Sequence, residues 1–274
     1  MAGNWPRRSW LKVGAAVPML RISRFEEEMM SLGTGTGAGG AAGFEPLPDT
    51  FPSQPPEVVR EMVTVAHFDL KRVKELVEAR PSLAKASWDW GFGDWETALG
   101  AASHMGNRGI AEYLITKDAA PTLFSAAMLG QLNVVKGMIA AQPGLQRMRG
   151  PHSISLLMHA KAGKDGARSV LEFLQGLGDA DAEPAVPLAQ GDADALKGTY
   201  TFGIGTNQLI EVTTEGGQVT WTRRGMMGRP LTHLGERVFY PCGAPSVRIR
   251  FAEENGAMVM TVADPETVLV GRRK

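Results

Sequence analysis

Apolar and polar positions follow a helical period over much of the middle of the chain. Pro55-Pro56-Glu57 opens the first helix, since proline tolerates the first turn and a carboxylate suits the positive helix end. Val58, Val59, Met62, Val63 and Ala66 then share one face. The pattern breaks at His67-Phe68-Asp69 and resumes with Leu70, Val73, Leu76 and Val77 on another face. Two helices joined by a tight turn make a hairpin that cannot cover its own apolar side, so further hairpins are required.

From Leu196 onward the period becomes that of strands. Thr199–Phe202, Gln208–Val212, Val219–Thr222, Arg237–Tyr240, Val247–Phe251, Met258–Val262 and Val268–Val270 are short alternating or β-branched runs. Gly216-Gly217 and Glu254-Asn255-Gly256 mark hairpin turns. About seven strands in such a length predict a small antiparallel β-meander that curls into a barrel or half-barrel. The acidic, Ala- and Pro-containing stretch 179–195 has neither period and reads as a linker.

The run from Thr97-Ala98-Leu99-Gly100-Ala101-Ala102-Ser103-His104 through Gly106-Asn107 to Ile110, Leu114 and Ile115 resembles an ankyrin repeat. Leu123 to Gly130 followed by Val134-Val135 repeats the motif, and a further unit is readable from Ile154 through Gly163 to Leu174. The turn positions Phe68, Gly106, Gly130 and Gly163 lie near the ankyrin period of about 33 residues, the second spacing being short. The resemblance implies an ankyrin-type helical repeat array of about four units. Gly198-Thr199-Tyr200, the turn-rich meander and the Phe251 to Gly256 hairpin resemble a small β domain appended to some bacterial serine hydrolases, with nothing catalytic carried over. The expected organisation is therefore α + β in separate domains: a leader and flexible linker over 1–54, a repeat domain over 55–178, a linker over 179–195 and an all-β domain over 196–274.

Arg7-Arg8-Ser9-Trp10-Leu11-Lys12 before the mildly apolar Val13 to Leu20 resembles a twin-arginine export signal. Pro18 and the charges from Arg21 to Glu28 interrupt the apolar stretch. The expected location is periplasmic or otherwise exported, with a cytoplasmic protein as the alternative. Gly35, Gly37 and Gly40 satisfy a G-x-G-x-x-G spacing, but no strand precedes them and Pro-rich residues follow, so no dinucleotide cofactor is expected.

Composition narrows the partners. Lys plus Arg equals Asp plus Glu at 29 each, which gives no global pull toward nucleic acid. No apolar run is long enough for a helix to span a membrane. The single cysteine, Cys242, excludes an internal disulfide and a cysteine-based zinc cage.

One segment does not look architectural. Trp88, Asp89, Trp90, Phe92, Asp94, Trp95 and Glu96 concentrate three of the chain's six tryptophans beside carboxylates in what the repeat reading makes a long finger. That composition suits a recognition hot spot, and equally suits a loop folded back over the first helices. His104 stands on the following helix, facing the same groove. His152 and His159 have no carboxylates at ligand spacing, so the sequence predicts no metal site. The basic Arg223, Arg224 and Arg229 near Met226 and Met227 read as a solvated loop.

No nucleophile elbow, P-loop or H-E-x-x-H motif is present. The expected function is a non-catalytic scaffold that binds a protein or peptide through the groove and Trp88, Asp89, Trp90, Phe92, Asp94, Trp95, Glu96 and His104. The alternative is a small-molecule hydrolase or other enzyme using the acidic cluster with His104.

Overall fold

The computed structural model describes residues 49–180, 186–203, 208–215, 217–224, 226, 228–264 and 267–274. The Arg7-Arg8 leader, the Gly35 to Gly40 pattern, Gly216 and Met227 lie outside them. Helices come first: α1 (Pro56–Val65), α2 (Leu70–Ala79), α3 (Ala98–His104), α4 (Arg108–Thr116), α5 (Leu123–Met128), α6 (Leu132–Ala141), α7 (Leu156–Ala162) and α8 (Arg168–Gly176). Local chemistry starts many of them. Asp69, Thr97, Thr122 and Ser155 each accept a hydrogen bond from a backbone N–H in the first turn of α2, α3, α5 and α7.

The helices pair in sequence, but they do not form a clear ankyrin array, and the repeat expectation is corrected here. A two-stranded sheet of β1 (Ser87–Asp89) and β2 (Trp95–Thr97) interrupts them between α2 and α3. So do 3₁₀ turns at Pro81–Lys85, Leu145–Arg147, Pro151–Ser153 and Lys164–Ala167. The first helices of successive pairs run from ten residues in α1 to six in α5. Two apolar cores result. One unites Met62, Leu76, Leu99 and Leu114, and the other unites Leu123, Val135, Leu156 and Leu174.

Gly106 and Gly130 keep the left-handed conformation of the motif, at φ 71° and 76°, but Gly163 departs from it. It is right-handed, at φ −70°, and so does not supply the left-handed helix end that the motif implies. Its missing Cβ instead lets the Met128 carbonyl of the neighbouring pair approach.

The carboxyl-terminal part is a closed barrel of eight antiparallel strands, which corrects the half-barrel expectation. They are β3 (Gly198–Thr201), β4 (Leu209–Glu215), β5 (Gln218–Arg223), β6 (Arg229–Gly235), β7 (Val238–Pro241), β8 (Arg248–Glu254), β9 (Ala257–Asp264) and β10 (Thr267–Arg273). β10 closes the ring by pairing with both β9 and β3. The strand missing from the sequence reading is β6. Pro230 cannot donate to a ladder and argues against a central strand, yet β6 pairs with β5 and β7 around it.

Eight strands leave an interior that side chains can just fill. Tyr200, Phe239, Ile249, Phe251 and Met260 fill it, with Ala193 of the short helix α9 (Gln190–Ala195) and Leu196, which follows that helix, closing on the same core. This helix lies in the stretch that the sequence presents as a linker. Tyr200 Oη donates to the Leu196 carbonyl at 2.8 Å.

Residues Thr50–Lys274 form one compact unit, so the helices and the barrel meet. The β1–β2 turn and the Pro151–Ser153 turn both touch the barrel. Phe92 stacks on Trp221 with ring centroids 5.5 Å apart, Arg229 donates to the Gly91 carbonyl at 2.9 Å, and Gly243 N–H donates to Ser153 Oγ at 2.6 Å. A Cβ at Gly243 would collide with the Asp94 carboxylate, so only glycine fits where the two parts touch.

Candidate functional site

Strand alternation decides which residues of the tryptophan-rich segment reach the interior. In β2, Trp95 points out at 62 % exposure and Glu96 points in, wholly buried. Trp88 and Trp90 pack against the first helical core. Trp90 Nε1 donates to Glu96 Oε2 at 2.8 Å, and Asp89 accepts from the Gly91 N–H at 2.8 Å. The turn between the strands therefore folds back rather than presenting its aromatic rings, with Phe92 against the barrel.

Three histidines converge on Glu96 from three places. His67 sits in the α1–α2 turn, with its carbonyl held by the Asn107 side chain. Its Nδ1 lies 3.0 Å from the carbonyls of Val63 and Thr64, so this nitrogen must carry the proton. In the neutral ring the lone pair on Nε2 then faces Glu96 Oε2 at 3.5 Å. His104, at the end of α3, places Nε2 at 2.9 Å from Glu96 Oε1. His152 places Nε2 at 3.4 Å from Glu96 Oε2, while its Nδ1 donates to Asp94 Oδ2 at 2.8 Å.

His152 is held there by an unusual backbone. It and Ser153 both adopt left-handed conformations, at φ 57° and 58°, which non-glycine residues rarely do. The His152 N–H donates to Asp94 Oδ1 at 2.9 Å, and Arg229 of β6 donates to Asp94 Oδ2 at 2.6 Å. Strain of this kind persists where surrounding contacts over-determine it, and it gathers at functional sites.

The electrostatics follow from burial and pairing. Burial pushes the Glu96 carboxyl up, but hydrogen bonds with His104 and His152 and nearby imidazole charge outweigh it and hold the carboxyl at about 2. Asp94 is likewise lowered, burial being overcome by its bonds with His152 and the charge of Arg229. His152 shows the converse. Burial disfavours its cation, yet bonds to Asp94 and Glu96 raise it to about 9. Burial lowers His67 despite the attraction of Glu96. His159, wholly buried beside His104 and Phe124, is lowered to about 3 by burial and the neighbouring His104 charge. Among the described residues neither of its ring nitrogens has a hydrogen-bond partner.

One ligand atom from each of His67, Glu96, His104 and His152 lies within 4.8 Å of all the others. A tetrahedral ion with bonds of about 2.0 to 2.1 Å holds its ligands about 3.4 Å apart, close to the His67–Glu96 and His152–Glu96 separations of 3.5 and 3.4 Å. Protons on the outer nitrogens of His67 and His152 are fixed by backbone carbonyls and by Asp94, which leaves both Nε2 atoms facing inward. Metal-ligating histidines are held in this way. The chain thus adds His67 and His152, which no sequence spacing singled out, to the Glu96 and His104 that the sequence already placed together.

His104 and His152 also line a cavity of about 770 Å³ between the helices and the barrel, together with Ser155, Lys161, Leu231, His233 and Cys242. His233 Nδ1 lies 3.0 Å from the Val186 carbonyl, and its buried Nε2 has no hydrogen-bond partner among the described residues.

Of the residues expected at a recognition site, the structure joins Trp90, Asp94, Glu96 and His104 in this cluster and leaves Trp88, Asp89, Phe92 and Trp95 around it. Sequence reasoning did not find His67, His152 or Arg229 as parts of the site. The only sequence signal was the irregular His67-Phe68 turn. Compared with protein-family models, curated proteins and solved structures, the chain finds no match.

Proposed function

We propose that this protein binds a divalent first-row transition-metal ion through His67, Glu96, His104 and His152 and uses it on a small molecule admitted to the adjoining cavity. The observation that carries the reading is the convergence of three imidazole Nε2 atoms on one buried carboxylate, with the outer nitrogens of two rings already committed as donors. A lone pair of His67 facing a carboxylate oxygen is repulsive without a cation between them. The nitrogen-rich ligand set suits zinc, iron(II), cobalt(II) or nickel(II) better than magnesium or calcium, which prefer oxygen.

His104 and His152 belong to both the cluster and the cavity wall. An ion held by all four residues would have to take a water or a substrate oxygen as a fifth ligand on the cavity side, where it would act as a Lewis acid. This develops the enzyme alternative built on Glu96 and His104. A peptide contact is a second reading, favoured only by the exposure of Trp95.

The test is titration of metal-stripped protein with cobalt(II) by calorimetry and visible absorption, beside Glu96→Gln and His152→Gln. One equivalent bound by the native protein and lost in both variants supports the centre. Equal binding by folded Glu96→Gln protein overturns it.

A further inference from the structure

The cavity beside the cluster has a composition of its own. Among the described residues that line it there is no carboxylate, whereas Lys161 is cationic and exposed and His104, His152 and His233 add polar ring nitrogens. Low-dielectric walls of one sign concentrate the oppositely charged solute. Much of the rest of the wall is apolar, with Leu231 and Phe239 from the barrel and Met158 from α7.

The charge balance of the loaded centre points the same way. With neutral imidazoles, a divalent ion and Arg229 together exceed the carboxylates of Asp94 and Glu96 by one positive charge. An anion bound on the cavity side would neutralise it, since the ion dominates the local field.

We infer that the cavity binds a small organic carboxylate with an apolar body, its head group between the metal centre and Lys161 and its body against Met158 and Val186. This rests on the metal reading. Apolar contact favours such a ligand over a bare anion of similar charge, because each buried group is taken out of water. Lys161 acts as a point charge at the cavity rim, on an exposed position of α7 where its replacement leaves the packing alone.

Cobalt(II)-loaded protein separates the two readings. Benzoate, acetate and inorganic phosphate are titrated in turn while the visible bands of the bound ion are followed. The expected result is a band shift that saturates with benzoate at a concentration about tenfold lower than with acetate or phosphate. Lys161→Met should raise the benzoate concentration needed by about tenfold without changing the cobalt spectrum of the ligand-free protein. Cobalt bands that ignore benzoate, or respond equally to acetate or phosphate, overturn the carboxylate site and leave the metal centre standing. Absence of cobalt bands in the native protein overturns both.

Discussion

Arg229 donates to Asp94 Oδ2 at 2.6 Å across 135 positions of chain. The first residue lies on a barrel strand and the second in the turn between β1 and β2, so the barrel reaches into the cluster. Asp94 in turn orients His152. Replacing Arg229 by Met leaves a buried carboxylate short of a cation, which should destabilise the protein by about 3 kcal/mol and weaken metal binding by about 10- to 100-fold. Urea unfolding and metal titration of Arg229→Met measure the two effects. A loss below about 0.5 kcal/mol would make the pair no stronger than a surface contact.

Metal should stabilise the fold as well as serve chemistry, because its ligands come from the α1–α2 turn, β2, α3 and the Pro151–Ser153 turn. At a free concentration 100 times the dissociation constant, an ion that binds only the folded state adds about 2.7 kcal/mol. Thermal melts with zinc should therefore exceed melts with a chelator, and the gap should vanish in Glu96→Gln. Identical melts would count against the centre.

Trp90 and Trp95 should behave oppositely. Trp90 packs on the first core and donates to Glu96, so Trp90→Ala is expected to cost about 3 kcal/mol or more. Trp95 stands outward, and Trp95→Ala should stay within about 0.5 kcal/mol of the native protein. Equilibrium unfolding of both variants checks this, and a large loss at Trp95 would place it in a contact other than the one described.

Tyr200 makes the barrel sensitive to alkali. Burial raises its phenol from 10.0 to about 12, only partly opposed by Arg273. The folded state then binds this proton more tightly than the unfolded chain. Its contribution is fully present below pH 10 and is lost as the pH rises toward 12. Tyr200→Phe removes that loss while leaving the Leu196 carbonyl without its donor, a cost of about 1 kcal/mol near neutral pH. Unfolding of both proteins across the alkaline range should show the native protein losing stability relative to the variant.

The helices were legible because their apolar period and their caps are local. Asp69, Thr97, Thr122 and Ser155 stand one residue before the helices they start. Seven of the eight barrel strands were legible for the same reason, with β6 hidden by Pro230, while β1 and β2 were not, because each is only three residues long and the segment reads as a loop. Closure was not legible. It depends on β10 finding β3, a pairing between distant parts of the chain that alternation within either strand does not encode.

The site divides along the same line. By itself the sequence determined that the tryptophan-rich segment differs from its surroundings, because composition is a property of neighbouring residues, but it treated Trp95 and Glu96 alike, as contacts on one finger. Only the tertiary structure decided that Glu96 is the inward member and that His67, His104 and His152 meet it. Those histidines stand on separate elements, and their meeting depends on how the helices pack and how the barrel holds Asp94.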